Sequence, residues 1–259
     1  LVIGGNLSGT GTVTLQPYSS AQTICVNYST GACAGSSFSL STPEIGYLSN
    51  GWSAIRIGSL TTGGGGLYIG SSDWLDPVYF TNTNSDSGNI QIYGPVNASG
   101  DSSVTVHGRS VNVYGTITTA GRDVSLTNSL YRINTYNGAI NTNGGNITID
   151  TLAHVGGGGD LSLDSAGGNI SIGDIVVAGG TSGVGKNFTF NAGAGNIAIS
   201  GTVNTGGNIT ANAGSISLGG AWGGTNALGN VSLTSANTSF TMPSLTSTGN
   251  VTLDAGTGT

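Results

Sequence analysis

A parallel β-helix is the fold this sequence predicts, and three observations carry the prediction. The unit Gly145-Asn146-Ile147-Thr148-Ile149 returns as Gly168-Asn169-Ile170-Ser171-Ile172 and Gly195-Asn196-Ile197-Ala198-Ile199, and in related form from Gly207-Asn208, Gly229-Asn230 and Gly249-Asn250. Between the turn pairs, short segments alternate apolar with small polar residues, which is the period-two signature of strands. Helix formers are scarce: only 6% of the 259 residues are charged and 48 are Gly, and a Gly inside a helix costs about 1 kcal/mol. A recurring unit of this kind buries its apolar side only against its neighbours, so the chain must stack.

Three strand series account for the second half. One starts at Val104, Val124, Ile140, Leu161, Phe188, Ile209, Val231 and Val251. A second starts at Val111, Ile147, Ile170, Ile197, Ile216 and Phe240, and a third at Ile117, Ile133, Leu152, Val176, Val203, Trp222 and Leu245. The spacing gives three short strands per coil, about 21 residues per coil and about twelve coils in a single elongated domain. Ile147, Ile149, Ile170, Ile172, Ile197, Ile199, Val231 and Leu233 should face inward, and Thr148, Ser171, Ala198 and Ser232 outward. Gly and Asn tolerate the positive φ that corners require. Equivalent corner positions for Asn146, Asn169, Asn196, Asn208, Asn230 and Asn250 would align their amides as a ladder along the stack.

Residues 101–259 form the regular, Gly-Asn-rich part. Residues 1–100 read as irregular, decorated coils of the same helix, interrupted by Pro17, Pro43, Pro77 and Pro95, with an excursion at 43–53. All nine Tyr precede the regular repeats from Gly145 onward.

Composition removes several functions. With a net charge of −6 and five basic residues (Arg56, Arg109, Arg122, Arg132, Lys186), no patch could neutralise a phosphate backbone, so nucleic acid is not an expected partner. No apolar run approaches the ~20 residues of a membrane helix, and direct membrane insertion is not expected. The first residue is Leu rather than Met, which reads as a processed piece of a longer chain. Cys25 and Cys33 flank a turn-rich segment and suggest a hairpin-closing disulfide and an oxidising compartment, two separate buried thiols being the alternative.

Leu15-Gln16-Pro17-Tyr18, Leu40-Ser41-Thr42-Pro43-Glu44-Ile45, Asn50-Gly51-Trp52-Ser53-Ala54-Ile55-Arg56-Ile57-Gly58, Ile69-Gly70 and Ile90-Gln91-Ile92-Tyr93-Gly94 resemble a repeat of large bacterial exoproteins of the filamentous-haemagglutinin type. The later Gly-Asn-Ile-Thr coils resemble the β-helical shaft of that family. The resemblance implies a right-handed parallel β-helix, export by two-partner secretion, a secreted or cell-surface location, and a role in adhesion, aggregation, biofilm or toxin display. The implied partner is a glycan or protein on a host or bacterial surface. The Cys pair is not part of the family pattern.

Candidate sites follow from the same reading. Asn-x-Ser/Thr sequons are frequent, but a corner Asn, an inward apolar residue and an outward Ser or Thr generate them automatically. Asn6, Asn27 and Asn97 fall outside the ladder and are the positions to consider for glycosylation. Gly156-Gly157-Gly158-Gly159-Asp160 resembles a calcium-binding nonapeptide, but it occurs once where shared ions need repetition. Polysaccharide cleavage on a β-helix needs converging carboxylates, and only Asp101 with Asp123 and Arg122, or Asp150 with Asp174, could meet. No catalytic residue, cofactor or metal is therefore expected. Trp52, Trp74, Tyr79, Tyr93 and Trp222 are the candidate partner-binding aromatics. Thr148, Thr189, Thr210 and Thr252 suggest an outward Thr column, interrupted by Ser, Ala and Asn. The expected function is the structural shaft of a secreted adhesin, with self-assembly through axial pairing of end coils as the alternative and a polysaccharide-active enzyme as a remote one.

Overall fold

The computed structural model describes the chain except residues 1, 20, 36–37, 60–64, 84–87, 129–132, 137, 156–158, 179–184, 237–239, 242–243 and 258–259, and without the side chains of 59, 133–135, 154–155 and 177–178. The fold is all-β: parallel sheets stacked as a β-solenoid, about seven turns spaced about 23 residues apart, with almost no helix. That is fewer and longer turns than the expected twelve of about 21. Two compact units divide the chain, Leu1–Arg132 and Ile133–Thr259.

In the first unit, strands stack in three columns. One runs Thr12–Leu15, Ala54–Ser59, Val78–Asn82, Val104–Gly108 and Val124–Asn128, all parallel. The second runs Phe38–Leu40, Ile24–Val26, Leu67–Ile69, Asn89–Ile92 and Ser110–Val113. The third comprises Ser72–Trp74, Val96–Ala98 and Thr116–Thr119. The first turn is long. Thr12 pairs with Ala54 and Ile24 with Leu67, because the intervening chain is diverted to cover an edge. Phe38–Leu40 pairs with the edge of Ile24–Val26 opposite Leu67–Ile69. The helix Thr42–Gly46 follows, and Leu7 bridges Leu48. Cys25 and Cys33 are joined, with Cα atoms 5.9 Å apart, tying the covered strand to the short turn Gly31–Cys33.

The second unit is more regular. One column runs Ala139–Asn141, Leu161–Asp164, Phe188–Asn191, Ile209–Ala213, Val231–Ser235 and Val251–Asp254. The nine-residue strands Ile147–Val155 and Ile170–Ala178 each serve two columns. Their first halves continue into Asn196–Ile199 and Ser215–Leu218, and their second halves into Val203–Asn204, Ala221–Trp222 and Ser244–Leu245. Residues linked across successive coils lie 18 to 28 apart.

The inward set is as the alternation predicts. Ile147, Ile149, Ile170, Ile172, Ile197, Ile199, Val231 and Leu233 are all buried and stack like upon like, Ile147 on Ile170 on Ile197 on Ile216. Several strand assignments differ: the Val104 and Val124 strands lie in one sheet and the Ile140 strand in the other, and the Ile117 and Ile133 strands are likewise divided. Ile175, not Val176, pairs with Val203, and it is Ile175 that is buried. Strand side chains alternate faces, so a one-residue slip reverses the whole set. Ile140 pairs with Leu163 rather than Leu161, and Phe240 lies outside any strand.

The role of Gly in the Gly-Asn pair also differs from expectation. Positive φ belongs to the residues just before it: Asn143 and Gly144, Ala166 and Gly167, and Gly206. Gly168 and Gly195 are required by proximity instead. A Cβ on either would lie 2.0 Å from the carbonyl oxygen of the Gly one coil below, closer than any side chain permits.

Burial of this regularity makes a direct prediction. Ile197→Ala should destabilise by about 2–5 kcal/mol, while Ser171→Ala, outward on the neighbouring strand, should stay within about 0.5 kcal/mol. Urea denaturation of the two variants checks the contrast.

Candidate functional site

The corner Asn side chains form two columns rather than the single ladder expected. In one, the Asn169 N–H donates to Asn146 Oδ1 and the Asn196 N–H to Asn169 Oδ1, both at 2.9 Å. In the other, Asp160 Oδ1 accepts from the Asn187 N–H, Asn187 Oδ1 from Asn208, Asn208 Oδ1 from Asn230, and Asn230 Oδ1 from Asn250, over 2.7 to 3.1 Å. The split follows the sheets: the first three Asn precede strands of one column, the last three strands of another. Each bond joins a side-chain oxygen to the next coil's backbone, which supplies an acceptor to an amide at the strand entry. Gly229 and Gly249 leave the space, since a Cβ there would lie 2.5 Å from the Oδ1 of Asn208 and Asn230 respectively.

The first unit carries an aromatic surface. Tyr93 and Tyr114 each follow paired strands, Ile92 opposite Val113, and their rings stack at 4.7 Å with a 7° interplanar angle. Tyr28 stacks on Tyr93 at 4.7 Å and 7° although the strand Leu67–Ile69 lies between theirs. Gly70 makes this possible: a Cβ there would meet the Asn27 carbonyl oxygen at 2.0 Å, and the Gly leaves Tyr28 free to lean across its coil. Tyr68 lies beside the pair, 6.0 Å from Tyr28 and 6.4 Å from Tyr93, nearly coplanar in orientation with both. Tyr93 is 38% exposed and donates its hydroxyl to Gln91 Oε1 at 2.5 Å. Each stacked pair contributes about 0.5–1.5 kcal/mol beyond area burial.

The other candidate aromatics divide. Trp74 and Trp222 are buried and cannot meet a partner. Trp74 donates its Nε1–H to Ser72 Oγ and meets Phe80 edge-on, and Trp222 lies in register between Val203 and Leu245. Apolar residues at inward positions are core whatever their size, and the strand phase puts both Trp there. Trp52 is half-buried against Gly9. Tyr79 lies under the Arg56 guanidinium, 4.6 Å from ring centroid to Cζ. The sequence reading named Tyr93 but not Tyr28, Tyr68 or Tyr114; the repeated pairs Tyr93-Gly94 and Tyr114-Gly115 were the available signal.

Asn6, Asn27 and Asn97 are exposed. Asn27 donates Nδ2–H to the Ser71 carbonyl and Asn97 to Asp73 Oδ1. Asp101, Arg122 and Asp123 do come together, with Ser103, Thr105 and Ser125, around an open groove of about 420 Å³. Asp174 instead accepts from the N–H and hydroxyl of Thr202. In the Gly run, residues 156–158 lie outside the described residues, and Asp160 is the foot of the second Asn column. Among the described residues, no group of three His, Cys, Asp or Glu is placed to hold a metal, and no helix is long and apolar enough to cross a membrane.

Glu44 fastens the edge-covering segment. Its carboxylate accepts from the Ser41 N–H and hydroxyl and from the Ile3 N–H. Partial burial opposes ionisation, but the hydrogen bonds from Ser41 and Ile3 outweigh it and hold the carboxyl below its usual pKa.

No family model, curated protein or solved structure matches the chain.

Two predictions follow from these contacts. Asn208→Ala should cost about 1 kcal/mol through the lost acceptor, and Gly229→Ala more, through its clash with the Asn208 side chain. Because removing that side chain clears the clash, the double variant should cost less than the two single losses combined, as a thermal-denaturation cycle would show. For Glu44, a lowered folded pKa means its stabilisation is complete above the ordinary carboxylate range and lost as pH falls through the folded value. The protection factors of residues 38–48 against hydrogen exchange, corrected for the intrinsic pH dependence of amide exchange, should therefore fall on acidification, and Glu44→Gln should abolish that fall.

Proposed function

We propose that this chain is a shaft segment of a secreted bacterial surface adhesin of the filamentous-haemagglutinin type, serving adhesion, aggregation or biofilm formation. The observation that carries this reading is the combination of stacked parallel coils with a tyrosine stack on the first unit whose shared member, Tyr93, is exposed. The coils hold themselves in register through backbone ladders and Asn columns and need no cofactor to do so. The tyrosine edges and the polar residues around them offer apolar contact and hydroxyl hydrogen bonding together, the chemistry that recognises glycans and protein surfaces. The Cys25–Cys33 bond fits the oxidising, extracellular setting of such a protein. Sequence resemblance in the Leu15–Tyr18 and Asn50–Gly58 segments supports the family. Asn6, Asn27 and Asn97 are the positions at which a glycan coat would attach.

The purified chain should bind to bacterial or host cells, or to immobilised glycans from their surfaces. Replacing Tyr93 and Tyr114 with Ala should remove most of that binding while circular dichroism stays unchanged. Equal retention of wild type and variant would overturn the assignment of the tyrosine face, and failure of the wild type to bind any such surface would overturn the adhesin reading. Concentration-dependent light scattering without surface binding would favour the self-assembling filament instead. Intact mass of the native-source protein distinguishes a glycosylated chain from a bare one.

A further inference from the structure

We propose that the tyrosine stack is a site of oxidative dityrosine formation, joining Tyr93 to Tyr28 or Tyr114 within one molecule. The inference stands apart from the adhesin reading and rests on ring geometry. Tyr93 is the shared member of two face-to-face contacts, each with centroids 4.7 Å apart and planes within 7°. Tyr68 brings a fourth phenol within 6.4 Å of it. The strands beneath are locked by their parallel ladder, so the rings are held together before any oxidation occurs. Tyr93 is open to solvent and therefore to an oxidant that acts at the surface.

The co-reactant is a one-electron oxidant of the haem-peroxidase class turning over hydrogen peroxide. It withdraws one electron from each of two neighbouring phenols, and each phenol releases its hydroxyl proton. The two phenoxyl radicals couple by forming a carbon–carbon bond between ring positions ortho to oxygen. Each coupled ring then shifts its ortho hydrogen to oxygen and regains aromaticity and a hydroxyl. Two hydrogens leave the protein in all, and one peroxide becomes two waters. Radicals generated next to each other combine before they diffuse apart or meet a second molecule, which is the advantage of a preset contact over a collision. The product is a covalent staple between coils. Through Tyr28 it would span the intervening Leu67–Ile69 coil; through Tyr114 it would join adjacent coils.

Tyr18 supplies the internal comparison, since it is fully exposed and has no ring contact among the described residues. Treating dilute protein with horseradish peroxidase and hydrogen peroxide should give dityrosine fluorescence, a mass lower by two hydrogens, and migration as a monomer on a denaturing gel. Peptide mapping should link the Tyr93 peptide to that of Tyr28 or Tyr114. Tyr93→Phe should lose most of the fluorescence with an unchanged circular dichroism spectrum. The double variant Y28F/Y114F, which keeps Tyr93 but removes both partners, should lose it as well. Tyr18→Phe should leave it unchanged. Cross-links that run through Tyr18 or between molecules would overturn the proposal. So would an undiminished yield from either stack variant, or no dityrosine under conditions that oxidise a free tyrosine peptide.

Discussion

The stacked strands find their hydrogen-bond partners one coil away, and that single constraint organises the rest. A backbone amide with no partner in its own coil must meet a carbonyl in the next. Successive coils must therefore keep register at every corner as well as along every strand. Strands manage this through the ladder itself. Corners cannot, because the chain there changes direction, and it is at corners that the specialised residues collect. Gly168 and Gly195 let backbones approach to distances no Cβ allows. The buried hydroxyls of Thr142 and Ser165 donate to the carbonyls of Gly145 and Gly168 within their own turns. The Asn side chains reach across to the next coil's amides.

The same constraint explains how the two ladders of polar and aromatic side chains arise. Register sets the same outward position of successive coils one above the other, so where the sequence repeats Asn at a strand entry the Asn side chains align, and Tyr93 and Tyr114, each following a paired strand, stand one above the other. The spacing between coils then falls close to the separation at which aromatic rings stack. The tyrosine stack is thus a property of the coil, amplified by Gly70, which lets Tyr28 take a place that its own strand would deny it. At the start of the first unit the constraint works in reverse. A strand edge with no coil beneath it would expose its amides, and the diversion of residues between Val26 and Asn50 into Phe38–Leu40 and a short helix meets that need, with Glu44 and the disulfide holding the segment in place.

Much of this was legible in the sequence. The alternation of Ile with Thr or Ser marked the inward face correctly for Ile147 through Leu233, because a period of two leaves no other consistent assignment. The close pair Cys25 and Cys33 and the excursion at 43–53 were also readable locally, though not that its start is a helix, Thr42–Gly46. What failed was whatever depends on the neighbouring coil. Val176 and Ile175 are both β-branched and adjacent, and only pairing with Val203 tells which faces in. Trp74 and Trp222 stand among the candidate platforms as aromatics taken to lie outside the regular strands, whereas strand phase commits them to the core. The Gly of each Gly-Asn pair was assigned to a left-handed turn, when its real task is to admit a backbone or an amide from another coil. The tyrosine face was half visible: Tyr93 could be named, but its companions are scattered in sequence and converge only through register.

The unequal steps between linked residues have an evolutionary meaning. Asn169 to Asn196 takes 27 residues, yet Asn196 to Ser215 takes 19, and the strands on both sides remain aligned. Coil length is therefore set at the corners, and strand pairing is indifferent to it. A recombination event that duplicates or deletes one whole turn would join Gly to Gly and Ile to Ile and leave both new junctions matched. A gene of this kind can change the length of its product by whole turns without refolding a core, whereas most domains have no such freedom.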